Sequence, residues 1–343
     1  MKTNIYFCGG KVPNEKGDKM MHRRNWRNLI RRGMFFTLFF VAGGMALFVA
    51  TTGYSEGSEN DHVKSGNRES FSVYGVEVPE QVTFAGEPLP LDLFDVQESL
   101  DRELLSNTYF HSQTIRLIKL ANRYFPQIEP VLRKNLVPDD FKYLVVAESG
   151  LTQAVSPASA VGFWQLLKGT AQEYGLEVEQ EVDERYHVTK STEVACKYLV
   201  ESYQKYGNWT MTAASYNAGR RGVDRQIQRQ KKENYYDLLL VEETARYLYR
   251  VVALKLIFED PAAYGFNIAK NELYPEIPAF AVTVDSAVAD FADFAVEHGT
   301  NYKILKYMNP WLRDNKLTNS DGRTYEIMLP ERGYRRSDAW VLQ

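Results

Sequence analysis

The rhythm of apolar and polar positions divides the chain into stretches of different texture. Residues 34 to 50, MFFTLFFVAGGMALFVA, run without a charge. With their neighbours they approach the roughly 20 apolar residues that a membrane helix needs. Residues 53 to 70, GYSEGSENDHVKSGNRES, have no periodicity and are polar and Gly/Ser-rich, the composition of a flexible tether. From about Leu91 apolar residues return at three- and four-residue spacing in VQESLDRELL, QTIRLIKLANRYF and IEPVLRKNL, which predicts packed amphipathic helices.

The next helix opens at Val137-Pro138-Asp139-Asp140, where proline suits the first helical position and acidic side chains complement the positive end of the dipole. It continues as FKYLVVAES, and Gly150 supplies a stop. Further helices are expected in STEVACKYLVESYQKY, in WTMTAASYNA up to Gly219, and in VEETARYLYRVVALKLIFE before Pro261. After Tyr274 the pattern shortens. AFAVTV and TYEIML alternate as strands and enclose two helices, AVADFADFAVEH and YKILKYM, giving β-α-α-β. The expected organisation is a basic tail (1–32), a membrane or signal segment (33–52), a linker (53–78), a mainly α domain (79–270) and a small α+β module (275–333).

Composition narrows the options. Apolar residues are 44% of the 343, enough for a packed core, and 343 residues exceed one small domain. The formal charge of -3 averages a basic head and a mildly acidic body, which removes the general electrostatic case for nucleic acid. The two cysteines, Cys8 and Cys196, fall on opposite sides of the expected membrane segment, so no internal disulfide is available, and Cys196 reads as a buried helix thiol.

Arg23, Arg24, Arg27, Arg31 and Arg32 precede the apolar segment. By the positive-inside rule they keep the N-terminus in the cytoplasm and put everything after Thr51 outside. No clean small-x-small site follows, which favours an uncut membrane anchor with the rest of the chain outside over release of a cleaved chain. Met20 and Met21 offer alternative starts that would leave a compact basic region.

The candidate chemistry begins at Glu148, a carboxylate in the last turn of a helix whose body, Tyr143 to Val146, is apolar. Burial and the negative helix end both disfavour its ionised form, so both raise its pKa. A carboxylic acid kept protonated near neutral pH is what glycosidic oxygens need; the buried glutamate of lysozyme is the standard example. Alone, a helix-end glutamate reads as a solvated or capping residue. Alone, Trp164 reads as core, and Tyr216-Asn217 before Gly219 as a helix stop.

Taken together, Glu148-Ser149, Gly162-Phe163-Trp164-Gln165, Ala214-Ser215-Tyr216-Asn217-Ala218-Gly219 and Glu243-Thr244 with Tyr247 resemble, in order and spacing, the motif set of Slt-type lytic transglycosylases. Within that family the likeness is to the membrane-bound D type, whose second motif carries tryptophan; it covers roughly Asp92 to Phe266. The resemblance implies a lysozyme-like α-helical catalytic domain with Glu148 as acid and base. It further implies that Glu243 orders the site and that Tyr247, sharing a helix face with it, hydrogen-bonds the catalytic carboxyl. Gly162 would let the backbone approach a sugar, Phe163 or Trp164 would stack on it, and Gln165 and Asn217 would hold it by their amides. Tyr216 would reach a neighbouring carboxylate.

Between Ser149 and Gln172 there is no Asp or Glu, whereas ordinary glycosidases pair two carboxylates across the scissile bond. One acid suffices if the attacking group is the 6-hydroxyl of N-acetylmuramic acid itself, which closes a 1,6-anhydro ring. The alternatives are a hydrolytic muramidase of the same fold and an inactive peptidoglycan-binding scaffold. His111, His187 and His298 lack ligand spacing and no phosphate loop precedes a helix, so no metal or other cofactor is expected. The expected partners are peptidoglycan glycan strands and the membrane.

The C-terminal stretch is similar to a LysM domain through VTV, FADFAVEHG, Asn309-Pro310 and IMLP. It departs from that pattern after the first strand, where Asp285-Ser286-Ala287 stands in place of Gly-Asp-Thr or Gly-Asp-Ser.

Overall fold

A computed structural model describes residues 74–335. The expected tail, membrane segment and most of the linker lie outside the described residues. Among those residues, no helix is long and apolar enough to cross a membrane.

A short hairpin opens the described chain, β1 (Thr83–Phe84) and β2 (Glu87–Pro88), antiparallel. Helices α1 (Phe94–Tyr109) and α2 (His111–Lys134) follow, then α3 (Lys142–Ser149), α4 (Lys168–Glu173), α5 (Val188–Tyr206), α6 (Trp209–Ala218), α7 (Arg220–Gln230) and α8 (Glu242–Glu259). The last part comprises β3 (Ala279–Val284), α9 (Phe291–Glu297), α10 (Tyr302–Met308) and β4 (Tyr325–Pro330), the expected β-α-α-β order.

Helix α8 is the axis of the helical part. Leu248, Val251, Val252, Ala253 and Ile257 are fully buried, and the exposed residues of the helix are confined to its two ends, so its middle is enclosed. It packs against α1, α3 and α6. Each such aliphatic side chain contributes about 1.5–3 kcal/mol when removed from water.

The segments QTIRLIKLANRYF and IEPVLRKNL, separate in the hydrophobic pattern, are one helix that runs through Pro126 and Pro130. The two prolines are four residues apart and both exposed. Each removes one backbone bond on the solvent side, where water can satisfy the freed carbonyl, while the inner face keeps Leu120, Ile128 and Leu132 packed. The expected helix start at Pro138 is a 3-10 turn over Asp139–Phe141 that leads into α3.

A buried lysine and two half-buried carboxylates tie the hairpin to the helices. Lys255 donates to Asp140 Oδ2 (2.7 Å) and to the Thr83 carbonyl (2.9 Å), and Asp140 also accepts from Ala85 N–H (2.6 Å). Glu87 accepts from the N–H groups of Trp209 (2.6 Å) and Thr210 (3.0 Å), complementing the positive end of α6.

In the module, β3 and β4 pair antiparallel from Ala279–Pro330 to Val284–Tyr325. Asn309, fully buried, spends its amide on Met328 N–H, Met328 O and Leu305 O, fixing α10 to β4. The change of texture near Tyr274 does not mark a break in packing: the described residues 74–335 belong to one compact unit. The module's core of Phe291, Leu305, Trp311, Leu312 and Ile327 is continuous with Val161, Val182 and Tyr186 of the helical part.

Candidate active site

The last turn of α3 presents Glu148, and Gly150 ends the helix in the left-handed conformation, φ 59°. A glycine meets that demand without the Cβ penalty. Behind Glu148, Tyr143, Leu144, Val145 and Val146 are all buried, so the carboxyl stands at the edge of an apolar helix and is itself half-buried. Tyr247, buried on α8, donates its phenol to Glu148 Oε1 at 2.6 Å.

The electrostatics follow from this placement. Burial pushes the Glu148 carboxyl up to about 7; the Tyr247 bond and the positive charge of Arg250 oppose that, and the charge of Glu243 reinforces it. Near neutral pH the group therefore exchanges a proton readily in either direction, as an acid that later acts as base requires. The phenols of Tyr216 and Tyr247 are driven far above their usual range by burial, with the Glu148 charge second, so both remain donors.

The Gly162 motif lies on a tight loop. Bridges Val155–Val161 and Val161–Leu166 fold residues 155–166 back on themselves. Gly162 has φ 79°, and a Cβ there would lie 2.3 Å from the carbonyl oxygen of Arg185. Only glycine fits.

Several expected roles change at this loop. Trp164 offers no face to a sugar: it is fully buried, and its Nε1–H donates to Thr192 Oγ1 at 2.7 Å. Phe163 is buried too, edge-on to Tyr124 with ring centroids 4.8 Å apart. Both rings are core, because a loop this tight needs its own apolar anchor. Gln165, at φ 48°, donates its amide N–H groups to the carbonyls of Gly162 (2.8 Å) and Ala154 (3.1 Å), so they hold the turn rather than a ligand. Its Oε1 is the part of the side chain these bonds leave over.

The Tyr216 phenol donates to the Trp164 carbonyl (2.7 Å), not to a carboxylate, and so ties α6 to the loop. Asn217 Oδ1 accepts from Thr244 Oγ1 (2.7 Å), tying α6 to the first turn of α8. Ser149 Oγ donates to the Val145 carbonyl within its own helix, and its carbonyl accepts from Thr152 Oγ1. Glu243 is exposed at the start of α8, close enough for its charge to act on Glu148.

Tyr216, Glu243 and Tyr247 thus all lie close enough to interact electrostatically with Glu148, Asn217 is bonded to the neighbour of Glu243, and Tyr216 ties this group to the Gly162 loop. Sequence reasoning missed Arg250, Thr192 and Arg185. Arg250 was within reach of the helical pattern, three residues after Tyr247 and seven after Glu243; Thr192 and Arg185 carried no local signal.

Residues 126–239 match the transglycosylase SLT domain, and residues 280–333 match the soluble lytic transglycosylase C-terminal LysM-like domain. The chain carries a transglycosylase SLT domain. Its matched part starts inside α2 and ends just before α8, so Glu148 and the Gly162 and Tyr216 motifs fall within it, whereas Glu243 and Tyr247 lie beyond. Two relatives, each named membrane-bound lytic murein transglycosylase D, from Escherichia coli (strain K12) and Escherichia coli O6:H1 (strain CFT073), are 27% identical over 258 residues, 73% of this chain and 55% of theirs. The chain spans about half the length of these relatives.

No group of three or more His, Cys, Asp or Glu among the described residues is placed to hold a metal ion. His187 caps α5 and His298 bonds the Phe294 carbonyl, each a local structural task. Cys196 is buried on α5, and burial pushes its thiol up to about 12, the behaviour of a core residue rather than a nucleophile.

Proposed function

We propose that this protein is a peptidoglycan lytic transglycosylase that cleaves the β-1,4 bond between N-acetylmuramic acid and N-acetylglucosamine. Glu148 acts twice. It first protonates the N-acetylglucosamine oxygen as that sugar leaves; as carboxylate it then removes the proton from the 6-hydroxyl of N-acetylmuramic acid, whose oxygen attacks the anomeric carbon and closes the 1,6-anhydro ring. The observation that carries this reading is the 2.6 Å bond from Tyr247 to a Glu148 carboxyl whose pKa is raised to about 7, within a chain that carries an SLT domain.

Because attacking oxygen and anomeric carbon belong to one sugar, the step is intramolecular and gains the proximity advantage without a bound water. Residues 150–171, which contain the Gly162 loop, include no carboxylate to activate water. Among the described residues Glu243 is a further carboxylate whose charge acts on Glu148, where it adds to the upward push that burial supplies.

The uncharged segment at 34–50 behind a cluster of arginines supports an anchor in the inner membrane with the catalytic part in the periplasm. The tether after it gives a reach of some tens of ångströms, at roughly 5–6 Å per square root of residue number, which favours wall glycan as substrate. Mass spectrometry of muropeptides released from purified sacculi tests the reading. The chain should release 1,6-anhydro ends and its Glu148→Gln variant none. Reducing ends would establish hydrolysis instead, and no release by a folded chain would leave a binding scaffold.

A further inference from the structure

We propose that the C-terminal module braces the loop that carries Gly162 and Gln165, acting through Arg185 and Tyr124 as positioning residues. Two separate contact paths lead from the module to that loop.

The first path runs through the segment before α5. Its backbone pairs with the module: Val182 and Leu312 form an antiparallel bridge in which Asp183 N–H donates to Trp311 O (2.9 Å) and Arg313 N–H to Glu181 O (2.7 Å). Side chains reinforce it. Glu181 accepts from Thr318 N–H and Oγ1 (2.6 and 2.7 Å), Glu177 pairs with Arg323 (2.8 Å), and the Arg313 guanidinium lies 4.0 Å over the Tyr186 ring. Asp183 in turn holds Arg185, with Oδ2 to Nη2 at 2.7 Å and Oδ1 to Nε at 3.0 Å.

This bidentate grip aims the other end of the guanidinium at the loop, where Nη1 donates to the carbonyls of Ser159 and Leu166, both at 3.2 Å. The Arg185 carbonyl is also the surface against which Gly162 closes. Arg185 is buried, so its charge is satisfied only while Asp183 and the loop stay in place.

The second path runs through α2. Tyr307 on α10 shares a hydrogen bond with the Tyr124 hydroxyl and accepts from Arg123 Nη1 (3.0 Å), while Arg123 Nε donates to the Pro275 carbonyl (2.9 Å). The Tyr124 ring meets Phe163 edge-on at 4.8 Å. Module, α2 and loop are therefore in direct succession.

A module that merely adds affinity for glycan needs one surface free for its ligand and no engagement with the catalytic loop. Here Val161, on the loop itself, belongs to the module's own hydrophobic core. The brace fixes a loop whose residues Gly162 and Gln165 sit in left-handed backbone conformations and would relax if released. The catalytic consequence rests on the transglycosylase reading; the bracing does not.

The test compares the full chain with Arg185→Lys and with the double variant Tyr307→Phe/Arg313→Gln. Lysine keeps the charge beside Asp183 but cannot span two carbonyls, so it should not rescue. Tyr307 and Arg313 lie outside the buried core, so the double variant stays folded even if Arg185→Lys does not. Turnover is measured on a short soluble glycan, and amide hydrogen exchange is followed over residues 159–166.

Both variants should lower kcat about tenfold with KM within about twofold, the signature of a displaced loop rather than lost binding. Exchange across 159–166 should quicken about tenfold. With Glu148→Gln added, sedimentation with sacculi should be unchanged. An unchanged kcat or an unchanged exchange rate in the double variant overturns the brace. Loss of sedimentation alone would make the module a glycan-holding appendage. Absence of anhydro product from the unmodified chain would defeat the transglycosylase reading while the exchange measurement still decides the brace.

Discussion

The Tyr247 hydroxyl donates to Glu148 Oε1 at 2.6 Å from a different helix, ninety-nine residues further along the chain. That bond favours the carboxylate, against the burial that favours the acid. Tyr247→Phe removes the opposing influence and lets the Glu148 pKa rise further above about 7. The alkaline limb of kcat/KM should move to higher pH, while kcat falls about tenfold because the carboxyl loses its orientation. A limb moving to lower pH would show that the phenol does not stabilise the charged form.

Glu148→Gln carries a stability signature separate from its loss of activity. The folded pKa of about 7 lies above the ordinary 4.5, so burial costs nothing below pH 4.5, the cost grows as pH rises, and it levels off above about 7. The neutral amide escapes that cost. Denaturant unfolding should find the variant more stable than the parent by about 2–3 kcal/mol at pH 8 and equal to it near pH 4.5. A variant less stable at pH 8 would refute a desolvated carboxylate.

Gly162→Ala places a Cβ 2.3 Å from the Arg185 carbonyl at φ 79°. The backbone conformation alone costs about 1–3 kcal/mol, and the clash must in addition push the Asp183–Arg185 segment aside. The unfolding temperature should fall by several degrees, and sacculus digestion should slow. Alanine tolerated with unchanged melting and turnover would mean that the loop's close approach is dispensable.

Glu103 on α1 is almost fully buried and binds two arginines of α8, Arg246 at 2.6 Å and Arg250 at 3.6 Å. Both arginines are about a third exposed, so solvent screens the pair and the attraction is discounted accordingly. Glu103→Gln should still lower stability by about 1–3 kcal/mol, since a buried acceptor of two cations becomes a poor one. It should also free Arg250, whose charge favours ionised Glu148, and lower the alkaline limb of kcat/KM. Equal melting in 0.1 M and 1 M salt for parent and variant alike would contradict an electrostatic role.

Local periodicity was enough to reveal α1, α2, α3, α5, α6 and α8, because each has several buried positions at the spacing a helix demands, whereas α4 and α7, with one buried residue each, and the β1–β2 hairpin left no such signal; the β-α-α-β order of the module was equally legible in its alternating strands. Glu148 stood out because an ionisable residue ends an apolar helix. Pro126 and Pro130 misled the pattern, since what lets α2 continue through them is that both face solvent, a fact of packing. Trp164 shows the opposite limit. Its place in a motif suggested a sugar platform, while the reading from size and apolarity alone, a core residue, matches its burial beside Thr192.

Sequence by itself therefore determined the longer amphipathic helices, the module's β-α-α-β order, the glutamate at the end of α3 and the motif set, because these depend on spacing within a few residues. Tertiary structure alone decided that Gln165 and Tyr216 spend their donors on backbone carbonyls and that Arg185 joins the module to the Gly162 loop, and it supplied the geometry of the bond from Tyr247 to Glu148 that the motif resemblance implies. Those contacts join residues far apart in the chain. Their geometry is set by how α3, α6, α8 and the module close around one core, which no local pattern encodes.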